Sequence, residues 1–362
     1  MIVWIGLFVF IVGVKLAMGE LNTDKKKKRF LRIVGIVLAL FWALRGENYG
    51  RVYDLRVYMA TFEEIAITPW DQLFYDPTFE PGFTVLNKLL SYLSTSGRTI
   101  IVFHAIFCVY TVCRFIYKNT NEVFWGFLFF YSLGNMGFFL TGLRQAIAMC
   151  VCMYAVEAAK KKKLILFVLL NLLAMTVHIS ALIFAAVYFL INMGIFRQNK
   201  WLIILPIVLL VAFSSQLVGL SRNISEELVF SETAKFTFNG IVPILIYAIT
   251  ILLQILFAKK QKLLDETLLP EERKDTYVGF AMTAVGLGLY FLRFYARSLE
   301  RLAFFYLQGS PIALADVTTH FKRSRDARLI ELVLVVLSFI LFVHRLSDAS
   351  YADYIFFWET QL

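Results

Sequence analysis

The sequence predicts an all-α, polytopic integral membrane protein, and composition, segment length and charge distribution each support that fold class. Apolar residues make up 59% of the 362 positions and the mean hydropathy is +0.70, more than one anchor on a soluble domain would give. About twelve apolar segments are present, and most approach the ~17–25 residues that cross ~30 Å of hydrocarbon. They cover residues 1–19, 30–45, 99–117, 122–140, 143–158, 164–176, 178–192, 201–218, 240–258, 276–292, 302–318 and 328–346. We therefore expect one transmembrane domain over residues 1–362.

Basic residues predict how these segments are oriented. Lysine-rich runs at 25–28, 160–163 and 259–262 fall at alternate segment ends, together with the basic stretch 322–328. Short loops rich in Lys and Arg remain in the cytoplasm. On that assignment 24 of the 36 Lys and Arg lie inside and 12 outside, and both chain termini lie outside. The net charge of +10 then reflects contact with anionic lipid headgroups and does not indicate nucleic-acid binding.

The basic residues on the predicted outer side are mostly arginine. Ten of the 12 are Arg and two are Lys, whereas the inner set contains 16 Lys and eight Arg. The planar, permanently charged fork of Arg suits phosphate and carboxylate groups. We therefore expect an anionic substrate to be bound at the outer face.

The first span and the long loops complete the predicted topology. Segment 1–19 lacks a basic n-region and a small-residue cleavage site, so we interpret it as a retained span rather than a signal peptide. Residues 46–98 form an external loop that ends in a short amphipathic helix, whose leucines share one helical face. Residues 259–275 form a polar cytoplasmic loop.

Segments 164–176 and 178–192 can form either one membrane crossing or two short helices. Together they span 29 residues, which is too long for one comfortable crossing and too short for two complete ones. One crossing would place all later basic clusters outside, whereas two half-length helices keep them inside. We therefore predict two short helices that meet near residues 176–178, with one long tilted helix as the alternative. Irregular backbone at membrane depth must be buried in protein or line a wet cavity.

Two acidic residues of the external loop are candidates for catalysis. Asp54 shares a helical face with Tyr58, and Glu80 precedes a Pro-Gly break at the start of a helix. Carboxylates near a wet cavity can orient substrate hydroxyl groups or act as a general base. The alternative is loop solvation and ion pairing with neighbouring arginines.

Arg144 and Gln145 lie at the start of an otherwise apolar helix, which directly follows Thr141 and Gly142. An ionisable residue there costs on the order of a few kcal/mol unless it is paired or faces water. The positive N-terminal end of the helix adds to the charge of Arg144, so we predict an anion site. The alternative is an arginine that extends to the membrane interface.

The last candidates lie in the second half of the chain. His178 falls at the proposed turn between the short helices, where it either belongs to a site or is satisfied by hydrogen bonds inside the bundle. Arg293, Arg297 and Arg301 are spaced by four and form one stripe if a helix continues through them. Such charges repel unless an anion or acids relieve them, which favours an anion site; only Glu300 is nearby. The alternatives are a charged external loop and a voltage-sensor stripe, although the latter repeats every three residues.

Several classes of chemistry have no support in the sequence. The four cysteines lie within apolar segments, so neither a disulfide framework nor a metal site is expected. Walker, HExxH and GxSxG motifs are absent, and a soluble nucleotide-sugar glycosyltransferase domain has no room. We expect no metal ion or organic cofactor.

The motifs follow one another in a recognisable order. They are an Arg, Asp and Tyr after the second span, a Glu-Pro-Gly-Phe motif, an Arg-Gln pair with a small residue behind it, a His-x-Ser-Ala motif and a late Arg-rich span. These correspond to Arg45, Asp54 and Tyr58, Glu80 to Phe83, Arg144 to Ala146, His178 to Ala181, and Arg301. In this order the chain resembles, over nearly its whole length, the EpsG family of bacterial exopolysaccharide proteins, which is grouped with Wzy-type polysaccharide polymerases. The stretch 45–50 departs from the family, in which a Gly-x-Asp-Tyr is more typical.

The resemblance implies a polymerase that joins lipid-linked oligosaccharide repeat units outside the bacterial cytoplasmic membrane. A sugar hydroxyl of one undecaprenyl-diphosphate-linked unit attacks the anomeric carbon of a growing lipid-linked glycan, and undecaprenyl diphosphate departs. A chain-length regulator and other polysaccharide-assembly proteins are candidate partners. Because a lipid diphosphate is already a good leaving group, no metal is obligatory.

The resemblance also suggests roles for individual residues. The candidates for binding the diphosphate or the sugars are Arg45, Arg144, Gln145, Arg293, Arg297, Arg301 and Tyr58. The catalytic candidates are His178, Asp54 and Glu80. Arg144 and the later arginines are assigned to the diphosphate, with Arg45 as a secondary candidate. His178 is assigned as an acid/base or a diphosphate ligand, and Asp54 or Glu80 holds or deprotonates the acceptor.

Three other functions are compatible with parts of this pattern. A flippase for the same lipid-linked sugar would also use Arg in a central cavity, but its charges should be reachable from both sides. An acyltransferase that modifies the glycan would need donor chemistry on the inner side, where acids are few. A ligase that transfers the glycan to another acceptor shares the polymerase chemistry.

Overall fold

A computed structural model describes most of the chain, and the described part is helical. It covers residues 1–46, 53–75, 78–199, 202, 238–258, 260, 274–294, 299–322, 325–347, 349 and 351–359. Within these ranges no strand is present, and one isolated antiparallel bridge joins Arg45 to Phe356. The predicted all-α fold class is therefore confirmed for the described residues.

The helices are numbered here in chain order. The first half contains α1 (Ile2–Met18), α2 (Asp24–Leu44), α3 (Tyr53–Ile67), α4 (Pro81–Ser91), α5 (Arg98–Asn119), α6 (Val123–Ser132), α7 (Asn135–Thr141), α8 (Leu143–Lys160) and α9 (Leu164–Val177). A 3₁₀ helix (Ile179–Ala186) follows, and then α10 (Val187–Asn192), α11 (Gly194–Gln198), α12 (Phe238–Leu256) and α13 (Thr276–Tyr290). The remainder is a 3₁₀ turn (Phe291–Phe294), α14 (Glu300–Leu307), α15 (Ser310–Thr318), α16 (Ala327–Ser347) and a 3₁₀ turn (Phe357–Glu359).

The described helices are those of a membrane protein, although they do not establish twelve crossings. By length and composition, three can span a membrane: α5, Thr276–Phe294 and α16. A fourth span results if α6 and α7, which are bent by 56°, count as one. Shorter apolar helices include α1, α9 and the helical stretch Ile179–Asn192. The predicted segment 201–218 lies outside the described residues, apart from residue 202.

Two predicted continuous segments are broken. Segment 122–140 divides into α6 and α7 at Gly134, whose φ of 104° is readily adopted only by glycine. Segment 302–318 divides into α14 and α15 at Gly309. Apolar composition does not reveal these breaks, because a backbone group freed at a break can be satisfied by a distant partner. One example is Arg345, which donates a hydrogen bond to the Leu133 carbonyl (2.5 Å).

The described helices share two common ends. α2 and α5 lie antiparallel, because Tyr117 donates a hydrogen bond to Asp24 at one end (2.6 Å) and Arg98 donates to the Arg45 carbonyl at the other (2.7 Å). Arg45 also donates to the Leu140 carbonyl just before α8 (2.8 Å). We call the end that contains Arg45, Arg98 and the start of α8 the arginine end.

The opposite end collects the lysine runs, and we call it the lysine end. Lys160, in the last turn of α8, donates to Asn119 at the end of α5 (2.8 Å). Lys27 donates to Asn121 (3.1 Å), and Lys322 pairs with Glu122 (2.7 Å). This grouping is the one that the charge pattern predicts. That the lysine end faces the cytoplasm follows from the lysines themselves and remains a prediction.

The first and last described segments of the chain both lie at the arginine end. The indole of Trp4 donates to the Tyr351 carbonyl (2.8 Å), and the amide of Gly46 donates to the Ile355 carbonyl (2.8 Å). The N- and C-terminal segments therefore pack on the same side as Arg45, opposite the lysine runs.

The chain turns back sharply at His178. α9 ends at Val177, and His178 is extended, with φ −157° and ψ 116°. Contacts join the two sides of the turn. Asn171 donates to the Ala181 carbonyl (3.0 Å), and the rings of Phe167 and Tyr188 lie 5.3 Å apart. The structure thus contains the predicted pair of short antiparallel helices and not one long tilted helix.

The short helix α4 has apolar side chains on its exposed face. Leu89 is 54% exposed, and Leu93, two residues beyond the end of α4, is 80% exposed, as expected for a helix that rests against lipid. Its opposite face buries Lys88, whose ammonium donates to three carbonyls at the end of α3 at 2.7–3.2 Å. Lys88, one of the two lysines predicted on the outer side, therefore caps the C-terminal end of α3.

Candidate functional site

The site is built on the Glu-Pro-Gly-Phe motif at the start of α4. Pro81 occupies the first helical position, where its missing N–H costs no hydrogen bond. Gly82 lies against the hairpin turn, and a Cβ atom there would be 2.8 Å from the backbone carbon of Thr176. Phe83 is fully buried and anchors the helix. The motif therefore presses Glu80, the residue before the helix, against the turn at His178.

Glu80 joins two side chains that are distant in sequence. One carboxylate oxygen lies 2.9 Å from Nδ1 of His178, and the other forms an ion pair with Arg144. On the far side of the imidazole, Oγ of Ser180 lies 3.1 Å from Nε2 of His178. We call Glu80, Arg144, His178 and Ser180 the Glu80 cluster. Three residues that the sequence proposed separately thus meet at the arginine end, and each is partly exposed.

The charge of Glu80 is fixed by its neighbours. Partial burial acts to raise the pKa of Glu80, but the hydrogen bond with His178, a backbone hydrogen bond and the positive charge of Arg144 outweigh it. Together they lower the pKa from 4.5 to about 2. Glu80 is therefore a permanent anion at neutral pH and a poor acceptor of protons.

The anionic carboxylate sets the orientation of the imidazole. A carboxylate only accepts hydrogen bonds, so Nδ1 of His178 carries the proton that is donated to Glu80. In the neutral imidazole Nε2 is then the basic nitrogen, and it accepts the hydroxyl proton of Ser180. An imidazole held in this way can take a proton from a hydroxyl group that approaches Nε2.

Aromatic side chains form one wall of the cluster. The guanidinium of Arg144 lies 4.5 Å from the ring centroid of Phe79, a cation–π contact. Phe79 in turn packs against Tyr58 at 5.4 Å and against Phe83 at 5.2 Å. Tyr58, predicted to bind the diphosphate or the sugars, therefore packs against Phe79, the ring on which Arg144 stacks.

Gln145 connects the site to α14. As predicted, Arg144 and Gln145 lie in the first turn of α8, which begins at Leu143. Gln145 is buried and donates a hydrogen bond to the Arg301 carbonyl (2.6 Å). This bond holds the start of α14 beside the start of α8, while the side chain of Arg301 is exposed.

Two of the three arginines of the predicted stripe, Arg293 and Arg301, lie in the described part of the chain. α13 ends at Tyr290 and gives way to a 3₁₀ turn, so Arg293 and Arg301 belong to different elements. Arg293 is 8% exposed, contacts the Tyr290 hydroxyl and pairs with Glu300 at 3.2 Å. Arg297 lies outside the described residues. The charge of Arg293 is thus relieved by an acid, and of the pair only Arg301 presents an exposed guanidinium.

The remaining candidates are not drawn into the cluster by any contact of the described residues. Asp54 is exposed in the first turn of α3. Arg45 is buried and donates to the Leu140 carbonyl, while its Nε and Nη2 have no hydrogen-bond partner among the described residues. Its role as a secondary diphosphate ligand stays a prediction. Arg98 and Arg345 likewise donate to backbone carbonyls at helix ends.

Two members of the site were missing from the sequence candidates. Ser180 was part of the His-x-Ser-Ala motif, and its spacing from His178 was the available signal. Phe79 precedes Glu80 and gave no signal, since stacking on Arg144 depends on the fold. Within the described ranges, no group of three or more His, Cys, Asp or Glu side chains is placed to hold a metal ion.

Comparison with known proteins gives one family. A family model described as the EpsG family matches residues 28–360, nearly the whole chain. No curated protein and no solved structure shows a significant match.

Proposed function

This chain belongs to the EpsG family, and we propose that it polymerises lipid-linked oligosaccharide repeat units by glycosyl transfer on the outer face of the cytoplasmic membrane. Family membership and the apolar helices indicate a membrane protein of exopolysaccharide biosynthesis. The substrate, the reaction and the roles of individual residues are the proposal.

One observation carries the proposal. The Glu80 cluster joins an anion-binding group, Arg144, to an oriented imidazole, His178, at the end opposite the lysine runs. If the lysine end faces the cytoplasm, as charge predicts, the cluster faces outward. A glycosyl transfer with a diphosphate leaving group needs these two functions side by side.

The proposed reaction is a displacement at the anomeric carbon of a lipid-diphosphate-linked glycan. The hydroxyl oxygen of the acceptor sugar forms a bond to that carbon. The bond from the carbon to the diphosphate oxygen breaks, and its electron pair leaves with the lipid diphosphate. The hydroxyl proton passes to Nε2 of His178, where the acceptor replaces the Ser180 hydroxyl.

Glu80 acts through His178 in this scheme. With a pKa of about 2, its carboxylate is too weak a base to deprotonate a sugar hydroxyl. It instead holds Nδ1 protonated and stabilises the imidazolium that forms when Nε2 accepts the proton. Glu80 is therefore a positioning residue and His178 the base.

Arg144 is the proposed ligand of the leaving diphosphate. Its guanidinium is fixed between the Phe79 ring and Glu80, and the Arg144 side chain is 25% exposed. The planar fork can therefore bind phosphate oxygens while it retains contact with Glu80. Because negative charge on the leaving group grows in the transition state, Arg144 should affect the rate as well as binding.

Arg301 is the second proposed diphosphate ligand. Its guanidinium is exposed, and Gln145 fixes its backbone next to the residue that follows Arg144. Each of the two phosphate groups of a diphosphate can bind one of these arginines, Arg144 or Arg301. Arg293, which is paired with Glu300, is proposed to position this segment.

The proposal can be tested with purified protein in liposomes that contain a synthetic polyprenyl-diphosphate-linked repeat unit. Wild-type protein should form lipid-linked glycans of two or more units. It should release one polyprenyl diphosphate for each glycosidic bond that it forms. His178→Ala and Arg144→Ala should lose both products together. Glu80→Gln should retain a low rate with an altered pH profile, because the base is still present.

Arg328→Gln, an exposed arginine at the lysine end, is the matched control. Full polymerisation by His178→Ala would contradict the proposal.

A further inference from the structure

A groove on the outer surface of the bundle lies apart from the Glu80 cluster. It runs between α2 and α5, has a volume of about 710 Å³ and starts at the lysine end. Its walls include Ile36, Ile106 and Tyr110, which are 55–62% exposed. Side chains of this kind on a membrane-spanning surface face lipid, so the groove opens into the bilayer.

Small residues create the groove. Gly35, Ala39 and Ala43 recur every four residues on α2 and line the groove. α5 approaches α2 so closely at Gly35 that a Cβ there would lie 2.9 Å from Sγ of Cys113. From Lys28 to Ala43 the groove follows 16 residues of helix, or ~22 Å, which exceeds half of the ~30 Å hydrocarbon thickness. It can therefore accommodate an acyl chain of one leaflet.

The groove is cationic only at the lysine end. Lys28, Arg32 and Arg114 line it there, and the rest of its lining is uncharged. Arg32 is exposed and has no ion-pair or hydrogen-bond partner among the described side chains. Arg114 lies over the Tyr154 ring at 4.6 Å, which leaves its donors available.

More lysines surround this end of the groove. The Tyr117 ring, part of the lining, has the ammonium groups of Lys28, Lys118 and Lys274 within 5.2–5.9 Å. Burial and the charges of neighbouring lysines hold the pKa of Lys274 below its usual value. Among the described residues, the carboxylate of Asp24 lies here, 3.5 Å from Lys28. The positive charge therefore exceeds what the described protein neutralises.

We propose that this groove binds an anionic phospholipid of the cytoplasmic leaflet, with its phosphate between Arg32 and Arg114 and one acyl chain along Gly35, Ala39 and Ala43. Charge and shape agree with this occupant, since an apolar channel ends in excess cations. The glycan-carrying lipid is a poorer fit, because its diphosphate belongs at the arginine end. The two ends are separated by the 18-residue α8, or ~27 Å.

The test measures the unfolding temperature of the purified protein in neutral detergent while phosphatidylglycerol or phosphatidylcholine is added. Phosphatidylglycerol should raise the unfolding temperature of the wild type at concentrations where phosphatidylcholine does not. The double variant Arg32→Gln/Arg114→Gln should lose this difference. Arg32→Lys/Arg114→Lys, which keeps the charge, should retain most of it. Arg328→Gln, an exposed arginine of the same end outside the groove, should behave like the wild type.

A second variant tests the apolar part of the groove. Ala39→Phe fills the channel without removing a charge, and it should reduce the number of phospholipids that remain bound in native mass spectrometry. This measurement also decides the matter if the double arginine variant does not fold. Equal stabilisation of wild type and double variant by phosphatidylglycerol, or equal retention of lipid by Ala39→Phe, would overturn the proposal. Stabilisation by polyprenyl phosphate at lower concentration than by phosphatidylglycerol would assign the groove to the carrier lipid and also overturn it.

Discussion

At Arg144, the charge of the side chain and its planar shape can be separated by substitution. Arg144→Lys keeps the charge but loses the fork that contacts Glu80 and stacks on Phe79. We expect this variant to lose most polymerising activity, with a decrease of about tenfold or more if ~1.4 kcal/mol or more of transition-state stabilisation is lost. The length distribution of the glycan at matched expression is the measurement. Arg328→Lys, on the exposed surface of the lysine end, is the control.

Glu80 gives a prediction about pH. Its pKa is about 2 in the folded protein and 4.5 without the cluster, so its contribution to stability is present above pH 4.5 and decreases as pH falls toward 2. The difference in unfolding temperature between wild type and Glu80→Gln should therefore not narrow from pH 8 to 5. It should narrow only below about pH 4.5. A difference that already narrows between pH 7 and 5 would mean that Glu80 is not held as a permanent anion.

The candidate residues illustrate what sequence alone can and cannot provide. Glu80, Arg144 and His178 were each identified by local chemistry, but their meeting depends on packing between α4, α8 and the hairpin turn. The excess of outer arginines was interpreted as a signal of anion binding. In the structure, Arg45 and Arg98 donate to backbone carbonyls at helix ends. The same fork serves a phosphate and an unpaired carbonyl, so residue type cannot distinguish the two.

At the scale of elements, the contact between α4 and the hairpin turn should depend on Gly82. An alanine Cβ would lie 2.8 Å or less from Thr176 atoms of both side chain and backbone, so truncating Thr176 would not relieve it. We expect Gly82→Ala to destabilise the protein by ~1–3 kcal/mol, a typical effect of overpacking. It should also lower activity, because α4 carries Glu80.

The control for this prediction is Gly13→Ala on α1, where no atom lies within 4 Å of the new Cβ. That variant should unfold like the wild type or slightly above it, because alanine favours the helix. The prediction fails if Gly82→Ala and Gly13→Ala have the same unfolding temperature and the same glycan length.

Helix boundaries show a similar division between what was predictable and what was not. The short pair at 164–192 was predicted from its length and the later lysine clusters, and the structure contains it. The break at Gly134 was not predicted, because the surrounding residues remain apolar on both sides. Its stability depends on Arg345, more than 200 residues away, which satisfies the freed Leu133 carbonyl. Periodicity contains no information about such a partner.

At the scale of the whole molecule, the arrangement of ends predicts a labelling pattern. Lys161→Cys lies at the lysine end and Thr95→Cys, just before α5, at the arginine end, and both positions are exposed. In intact cells a membrane-impermeant thiol reagent should label Thr95→Cys and leave Lys161→Cys unmodified until the membrane is permeabilised. The parent protein is the control, since its four cysteines are buried or half-buried. The reverse pattern would place the Glu80 cluster on the cytoplasmic side.

The overall architecture was the most predictable property of this chain. Composition indicated an all-α membrane protein, and lysine placement sorted the helix ends as the structure groups them. The number of crossings was not predictable to the same degree, because apolar length does not distinguish a full span from the short or broken helices found here. Lipid and protein interiors are equally apolar, so both select the same residues.

The most direct test of the proposed function is the analysis of lipid-linked glycans in cells that lack this protein and carry wild type, Arg144→Ala or His178→Ala. The account predicts that both variants accumulate single repeat units on the lipid carrier at the outer face, while the wild type forms long chains. Long chains from either variant at matched expression would contradict the roles assigned to the Glu80 cluster. Single units confined to the inner leaflet would contradict polymerisation itself and identify the protein as a flippase.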